Sequence, residues 1–105
     1  MSTPISSLIE TARYLGVHEL VQPIDVLEVA KNIAQHPDAR ANFNAITALV
    51  QNAENYYARW AGIRAINVMG PAAIHRAAPL LRKQLAVEDF DLALRELQNA
   101  LAKID

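Results

Sequence analysis

The chain has 105 residues, of which 52% are hydrophobic and 20% charged, and ten Lys and Arg against eleven Asp and Glu leave a net charge of −1. This length suits one domain, residues 1–105, and the apolar fraction is too high for an intrinsically disordered chain. The absence of cysteine excludes disulfides, a thiolate nucleophile and a cysteine-ligated zinc site.

The composition favours helices along the whole chain. Nineteen alanines and twelve leucines are strong helix formers, and there are only three glycines to interrupt a helix. No segment alternates apolar and polar residues in the way a half-buried strand does. We therefore expect an all-α protein.

The first helix is predicted to start at the amino terminus. Ser2 or Thr3 can act as its N-cap, and Pro4 fits the first helical position, where the missing N–H has no intrahelical partner in any case. Apolar residues then recur at helical spacing until Gly16, which is suited to end the helix.

A second helix is expected from Asp25 to Pro37, and the third segment, residues 38–69, contains no proline. As a single helix this segment would be about 45 Å long, more than the span of about 35–40 Å of a compact domain of this size. It must therefore bend, protrude or belong to an oligomer, and Gly62 is the natural position for a bend. Its apolar stripe is Phe43, Ile46, Val50, Ala53, Tyr57 and Trp60.

Gly70 and Pro71 are expected to begin the fourth helix, whose apolar stripe continues through Pro79 and so predicts a kink and not a reversal. The last helix begins near Glu88 and Asp91, since acidic residues favour a helix N-terminus. Short connections favour antiparallel neighbours. Together these elements predict a compact antiparallel helical bundle of about five helices with one long central helix.

Charge is distributed unevenly along this nearly neutral chain. The net charge is −3 over residues 1–38, +5 over residues 39–86 and −3 over residues 87–105. Two interpretations are open: the acidic outer helices pair with the basic middle helices, or the basic residues share a surface that binds an anionic partner. The basic residues of the middle segment are Arg40, Arg59, Arg64, Arg76, Arg82 and Lys83, against Glu54 alone.

Six of the charged residues are candidates for partner binding. Those on the predicted fourth helix form two rows, since Arg76 and Lys83 are seven residues apart, as are His75 and Arg82. Basic side chains beside the aromatic residues of 56–60 would suit single-stranded nucleic acid, although Tyr57 and Trp60 fall on the apolar stripe. The six candidates are Arg59, Arg64, His75, Arg76, Arg82 and Lys83.

Arg64 is the unusual member of this set, because it falls in the middle of the apolar face of the third segment. Burying an unpaired guanidinium is very costly. We expect Arg64 to pair with an acid from the first or last helix. The alternatives are that a bend at Gly62 turns it outward, or that it anchors a partner, as Arg often does at interfaces.

Motifs for catalysis and metal binding are missing. The histidines His18, His36 and His75 are too far apart for two of them to share a metal from one helix. The chain contains no nucleophile elbow, phosphate-binding glycine loop or dinucleotide fingerprint. The sequence therefore predicts no catalytic residue, no metal and no cofactor, so the protein is not expected to be an enzyme.

The predicted function is that of a non-enzymatic interaction protein: a regulator, adaptor or inhibitor of a larger macromolecular assembly that binds a protein partner through a helical surface. The alternative is a protein that binds single-stranded nucleic acid through a basic surface of residues 59–83. A second alternative is a phosphotransfer module that depends on His75, although the Lys-Gly pattern of small residues used by such modules is absent.

Location and assembly are predicted from the same features. The longest apolar runs are only a few residues, which predicts no membrane span. Residues 1–4 lack the basic start and apolar core of a signal peptide. We expect a cytoplasmic protein, of the kind common in bacteria and phages, that is a monomer or a homodimer.

Overall fold

The computed structural model describes residues 3–105, and these form six α-helices and no strand. The all-α prediction is confirmed. Turns and loops of one to nine residues join the helices. In chain order these are α1 (Ile5–Arg13), α2 (Pro23–Gln35), α3 (Phe43–Val50), α4 (Tyr56–Met69), α5 (Pro71–Leu85) and α6 (Asp91–Ala102).

The first two helices begin near their predicted starts but with different caps. Pro4, and not Thr3, is the N-cap residue of α1, and Ser2 lies outside the described residues. Helix α2 begins two residues before Asp25, whose carboxylate accepts a hydrogen bond from the backbone N–H of Gln22 at 2.9 Å. That bond satisfies a backbone donor that precedes the first helical turn.

The third segment is not one long central helix, and the structure has six helices instead of about five. It divides into α3 and α4 because two asparagines in residues 51–55 bind nearby backbone groups. The Asn52 side chain accepts hydrogen bonds from the N–H groups of Glu54 and Asn55 at 3.0 and 2.9 Å. The Asn55 side chain then accepts from Tyr57 N–H at 3.0 Å and caps α4. Such local bonds compete with the helical hydrogen-bond pattern.

Gly62 does not bend the chain, because α4 continues through it. Its role is close packing against α3. A Cβ atom at this position would lie 2.8 Å from the Leu49 Cβ and 3.0 Å from the Val50 backbone nitrogen. Glycine therefore allows the backbones of α3 and α4 to approach more closely than any other residue would permit.

Helix α4 lies at the centre of the fold and contacts each of the other five helices. The radius of gyration is 12.4 Å and the longest dimension is 38 Å, as expected for a compact domain of this length. Helix α5 continues through Pro79, which confirms the predicted continuity. The largest fully buried side chains are Val26, Ile33, Ile46, Leu49, Val50, Ile63, Ile66, Ile74, Leu81 and Leu97.

Within residues 3–105, every helix is too short or too polar to cross a lipid bilayer.

Candidate interaction site

Arg59 is held inside an ion-pair network and is not a free surface cation. Its side chain is only 11% exposed. The Nε and Nη2 atoms each lie 3.0 Å from the carboxylate of Glu88, and Nη2 also lies 3.2 Å from Asp89. Nη1 donates to the backbone carbonyl of Asn52 at 3.0 Å. Arg59 thus joins the α3–α4 loop to the segment that precedes α6.

The carboxylate of Glu88 is fully buried and satisfied by several donors. Burial alone would raise its pKa, but hydrogen bonds from Arg59, from the backbone N–H of Phe90 at 3.1 Å and from Gln84 at 3.1 Å outweigh that effect. The net result is that the pKa of Glu88 lies below its usual range. Glu88 is therefore ionised in the folded protein at neutral pH.

The predicted internal pairing of Arg64 is confirmed. Its Nη1 lies 3.3 Å from Oε2 of Glu96, an acid on the last helix. Glu96 also accepts hydrogen bonds from the indole of Trp60 at 3.4 Å and from the side-chain amide of Asn67, which in turn accepts from Lys103 at 2.6 Å. The Arg64 side chain is nevertheless 39% exposed, so the pair lies at the edge of the core.

Arg82 also binds a carboxylate. Its two terminal nitrogens lie 2.7 and 3.2 Å from the two oxygens of Asp105 in a bidentate arrangement. This contact lowers the pKa of Asp105 and raises the pKa of Arg82. The pair fastens the carboxyl-terminal residue of the chain to α5.

The other three candidates lie exposed on α5. The Arg76 guanidinium lies 4.5 Å from the centre of the Phe43 ring, a cation–π contact. His75 and Lys83 bind no carboxylate of residues 3–105. Residues 59–83 thus contain three arginines that bind carboxylates, as the pairing interpretation expects, and three exposed candidates that form no ion pair within residues 3–105.

A different surface brings together four of the exposed apolar side chains. Tyr14, Val17 and Tyr56 line one cavity of about 500 Å³ between the α1–α2 and α3–α4 loops. A neighbouring cavity of about 410 Å³ is lined by Val87 and again by Tyr56. Tyr14 is 50% exposed, Tyr56 43% and Val87 70%. We call these four residues the tyrosine face.

The backbone beneath the tyrosine face is tightly held. The Asn55 amide donates hydrogen bonds to the carbonyls of Arg13 and Leu15 at 2.9 and 3.0 Å, which ties the end of α1 to the start of α4. Gly16 has a φ of +77°, and a Cβ atom there would lie 2.8 Å from the Tyr57 ring. Glycine at this position satisfies both the left-handed turn and the close approach of the ring.

Aromatic packing supports Tyr56 from below. The centre of its ring lies 4.5 Å from that of Tyr57 and 4.4 Å from that of Phe90. Phe90 in turn lies 6.2 Å from Trp60, which belongs to the core. These tilted and edge-on contacts are favourable for aromatic pairs, so the exposed ring of Tyr56 rests on an ordered platform.

One carboxylate at the tyrosine face is left without a partner among the described residues. Arg13 binds Glu10 at 3.0 Å, and Arg59 binds both Glu88 and Asp89. Glu54 lines both cavities and binds no cation of residues 3–105. The two cavities are thus lined by two arginines that are already paired with carboxylates and by Glu54, which pairs with no cation of the described residues.

The tyrosine face is not predicted by the sequence, although two of its residues carry a signal. Tyr14 lies opposite the apolar stripe of α1, and Tyr56 lies at the edge of the stripe of the third segment, so both are visible as exposed candidates. Val17 and Val87 lie in loops, where helical periodicity carries no information. Asn55 brings the α1–α2 loop of Val17 to the start of α4, and Arg59 brings the α5–α6 loop of Val87 there.

Replacing Asn55 with alanine should lower the free energy of unfolding by about 2 kcal/mol, because it removes an N-cap and two hydrogen bonds between loops. Urea denaturation followed by circular dichroism measures the loss. Asn99 is a matched control, since it is exposed on α6 and its side chain makes no hydrogen bond within the described residues. An Asn55→Ala variant as stable as Asn99→Ala would contradict the proposed role of Asn55.

Residues 3–105 contain no cluster of three or more His, Asp or Glu side chains placed to hold a metal ion. Comparison of the chain with protein-family models, with curated protein sequences and with solved structures gives no match.

Proposed function

We propose that the chain is a non-enzymatic interaction protein, a regulator, adaptor or inhibitor of a larger assembly, that binds a protein partner through the tyrosine face. The observation that carries this proposal is that two exposed tyrosines, Tyr14 and Tyr56, share one cavity on a rigid backbone. Tyrosine is enriched at the energetic centres of protein interfaces. An aromatic ring with few rotatable bonds also loses little entropy when it is bound.

The charge around this face specifies the partner further. Glu54 is exposed and lines both cavities, whereas the two arginines that line them, Arg13 and Arg59, are already paired with carboxylates. An arginine of a partner could stack on a tyrosine ring and donate to Glu54 at the same time. We therefore propose that the partner presents a segment that combines basic and apolar side chains.

The nucleic-acid alternative remains a prediction with fewer residues to support it. Arg59 and Arg82, two of the cations it needs, are already bound to carboxylates. Trp60 is buried, so it offers no free ring for base stacking. Arg76 and Lys83 are its remaining exposed cations. His75 is exposed as well, and it is the residue on which the phosphotransfer alternative depends.

A site-specific photo-crosslinker tests the proposal. The benzophenone amino acid p-benzoylphenylalanine is placed at Tyr56 in one variant and at Ile24 in a control, and both are irradiated in the native cells. Ile24 is an exposed apolar residue that lines a different cavity, together with Leu27 and Val68. We expect position 56 to give a discrete crosslinked product whose partner peptide contains Arg or Lys next to apolar residues, and position 24 to give none.

A second substitution in the crosslinking variant makes the result specific. Tyr14→Ser should abolish the product formed from position 56, because both side chains line the same cavity. Products of equal yield from positions 56 and 24 would argue against a specific interface. A partner peptide rich in acidic residues would contradict the proposed charge complementarity.

A further inference from the structure

A separate cavity of about 220 Å³ lies where α3 meets α5, away from the tyrosine face. None of its lining residues lines the two cavities of that face. Its volume is below the range of about 300–1,000 Å³ usual for ligands of drug size, so it suits a small molecule or a single chemical group. The lining residues are Arg40, Phe43, Met69, Ala72, Ala73 and Arg76.

Two guanidinium groups line this cavity, and no carboxylate does. Neither Arg40 nor Arg76 forms an ion pair within residues 3–105. The acid closest to Arg40 in the sequence, Asp38, instead lies 3.9 Å from the His36 ring. Two like charges around one small cavity repel each other, so an anion from outside the chain would stabilise the arrangement.

The arrangement differs from that of the other arginines of the basic middle segment. Arg59, Arg64 and Arg82 each bind a carboxylate from the acidic carboxyl-terminal segment. Within the basic middle segment, Arg40 and Arg76 are the two arginines that bind no carboxylate of residues 3–105, so they remain available for a ligand. The uneven charge of the sequence thus leaves a local positive site after internal pairing is complete.

Packing orients one of the two guanidinium groups. Arg76 lies 4.5 Å from the centre of the Phe43 ring, and Phe43 is itself buried in the core. A guanidinium placed on a fixed aromatic ring has fewer orientations, so it loses less entropy when it binds a ligand. Phe43 and the half-buried Met69 also give the cavity an apolar wall beside its charges.

We propose that this cavity binds a small organic phosphate monoester. The phosphoryl group would lie between Arg40 and Arg76, and its organic group would contact Phe43 and Met69. Arginine suits this ligand because its planar fork can donate two parallel hydrogen bonds to phosphate oxygens. At neutral pH a phosphate monoester carries a charge of about −1.5 to −2, which would nearly balance the two arginines.

Titration of the ¹⁵N-labelled protein tests the site, with amide shifts measured at constant ionic strength. Phenyl phosphate, inorganic phosphate and phenol are added in separate titrations. We expect both phosphates to give saturable shifts confined to amides near residues 40–43 and 69–76, and phenyl phosphate to bind more tightly. Phenol has the ring but lacks the phosphate, so the amide shifts that it causes should not saturate.

Charge-removing variants assign the contacts. Arg40→Gln and Arg76→Gln should each weaken phenyl phosphate binding about tenfold, because each removes a charge-assisted contact. Arg95→Gln is the matched control, since it removes the same charge from the exposed surface of α6 and should leave affinity unchanged. Circular dichroism of each variant verifies that the fold is retained.

Three results would overturn the proposal. Shifts that never saturate, or an equal loss of affinity in Arg95→Gln, would mean general attraction of anions to the protein. Phenol binding as tightly as phenyl phosphate would mean an apolar cavity without phosphate recognition. Saturable phosphate binding that survives both Arg40→Gln and Arg76→Gln would place the anion elsewhere.

Discussion

Replacing Arg59 with methionine should lower the free energy of unfolding by about 3 kcal/mol, the lower end of the cost of breaking a buried ion pair. Its partner Glu88 is fully buried and ionised, and Arg59 supplies three hydrogen bonds to it. Without the guanidinium, only Gln84 and the backbone N–H of Phe90 remain as donors. Methionine retains much of the aliphatic part of the Arg59 side chain. The loss of stability therefore measures mainly the removal of the guanidinium charge and its hydrogen bonds.

Urea denaturation at pH 7 measures this loss, with Arg95→Met on the exposed side of α6 as control. The double variant Arg59→Met/Glu88→Gln should recover part of the stability, because a neutral amide is easier to bury than an unpaired carboxylate. An Arg59→Met variant within 0.5 kcal/mol of the control, an approximate limit for neutral surface changes, would show that the network is dispensable.

The same pair makes stability depend on pH, and the direction follows from the pKa of Glu88. Since that pKa is lower in the folded state than in the unfolded chain, the carboxylate stabilises the fold above the unfolded value of about 4.3. This contribution is lost as the pH falls through the folded pKa. In Arg59→Met the folded pKa of Glu88 rises, so acidification from pH 5 to pH 3 should cost less stability than it costs the natural protein. Identical pH profiles would contradict the assignment.

Replacing Gly62 with valine should lower the free energy of unfolding by about 3 kcal/mol, the upper part of the range for overpacking a core. A Cβ atom there meets the Leu49 Cβ, the Val50 backbone nitrogen and, at 3.2 Å, the carbonyl oxygen of Ile46. Backbone atoms of α3 cannot rotate away as the end of a flexible side chain can. The two helices must therefore move apart, which opens space between their apolar faces.

Thermal and urea unfolding of Gly62→Ala and Gly62→Val measure the effect as a series. On an exposed helix, glycine to alanine stabilises by about 1 kcal/mol, so destabilisation by Gly62→Ala would already indicate a close approach of the backbones. Ala102→Val is the control for the lower helix propensity of valine, because Ala102 is exposed in the last turn of α6. Gly62 variants no less stable than this control would mean that α3 and α4 tolerate a wider separation.

Helical periodicity predicted much of the fold, but it missed the division of the third segment. The apolar stripe keeps its phase from Phe43 to Trp60, so nothing in the spacing marks a break. The break arises because the Asn52 and Asn55 side chains bind nearby backbone groups. Ala53, which lies on the predicted stripe, is exposed in the resulting loop. Local hydrogen bonds of this kind are weakly encoded by apolar spacing.

Charge patterning left open whether the middle and outer helices pair with each other or the basic residues bind an anionic partner, whereas the burial argument for Arg64 predicted a partner on the first or last helix. The charge pattern could not identify Glu88 as the partner of Arg59, because the two residues meet only when the segment before α6 packs against α4. The tyrosine face was hidden for the same reason. Its members come from two loops and one helix end, which Asn55, Gly16 and Arg59 bring together.

The central position of α4 has a consequence for cooperativity. Because α4 contacts all five other helices, detaching any one of them exposes apolar surface on α4. Exposing that apolar surface raises the free-energy cost of detaching a helix from α4.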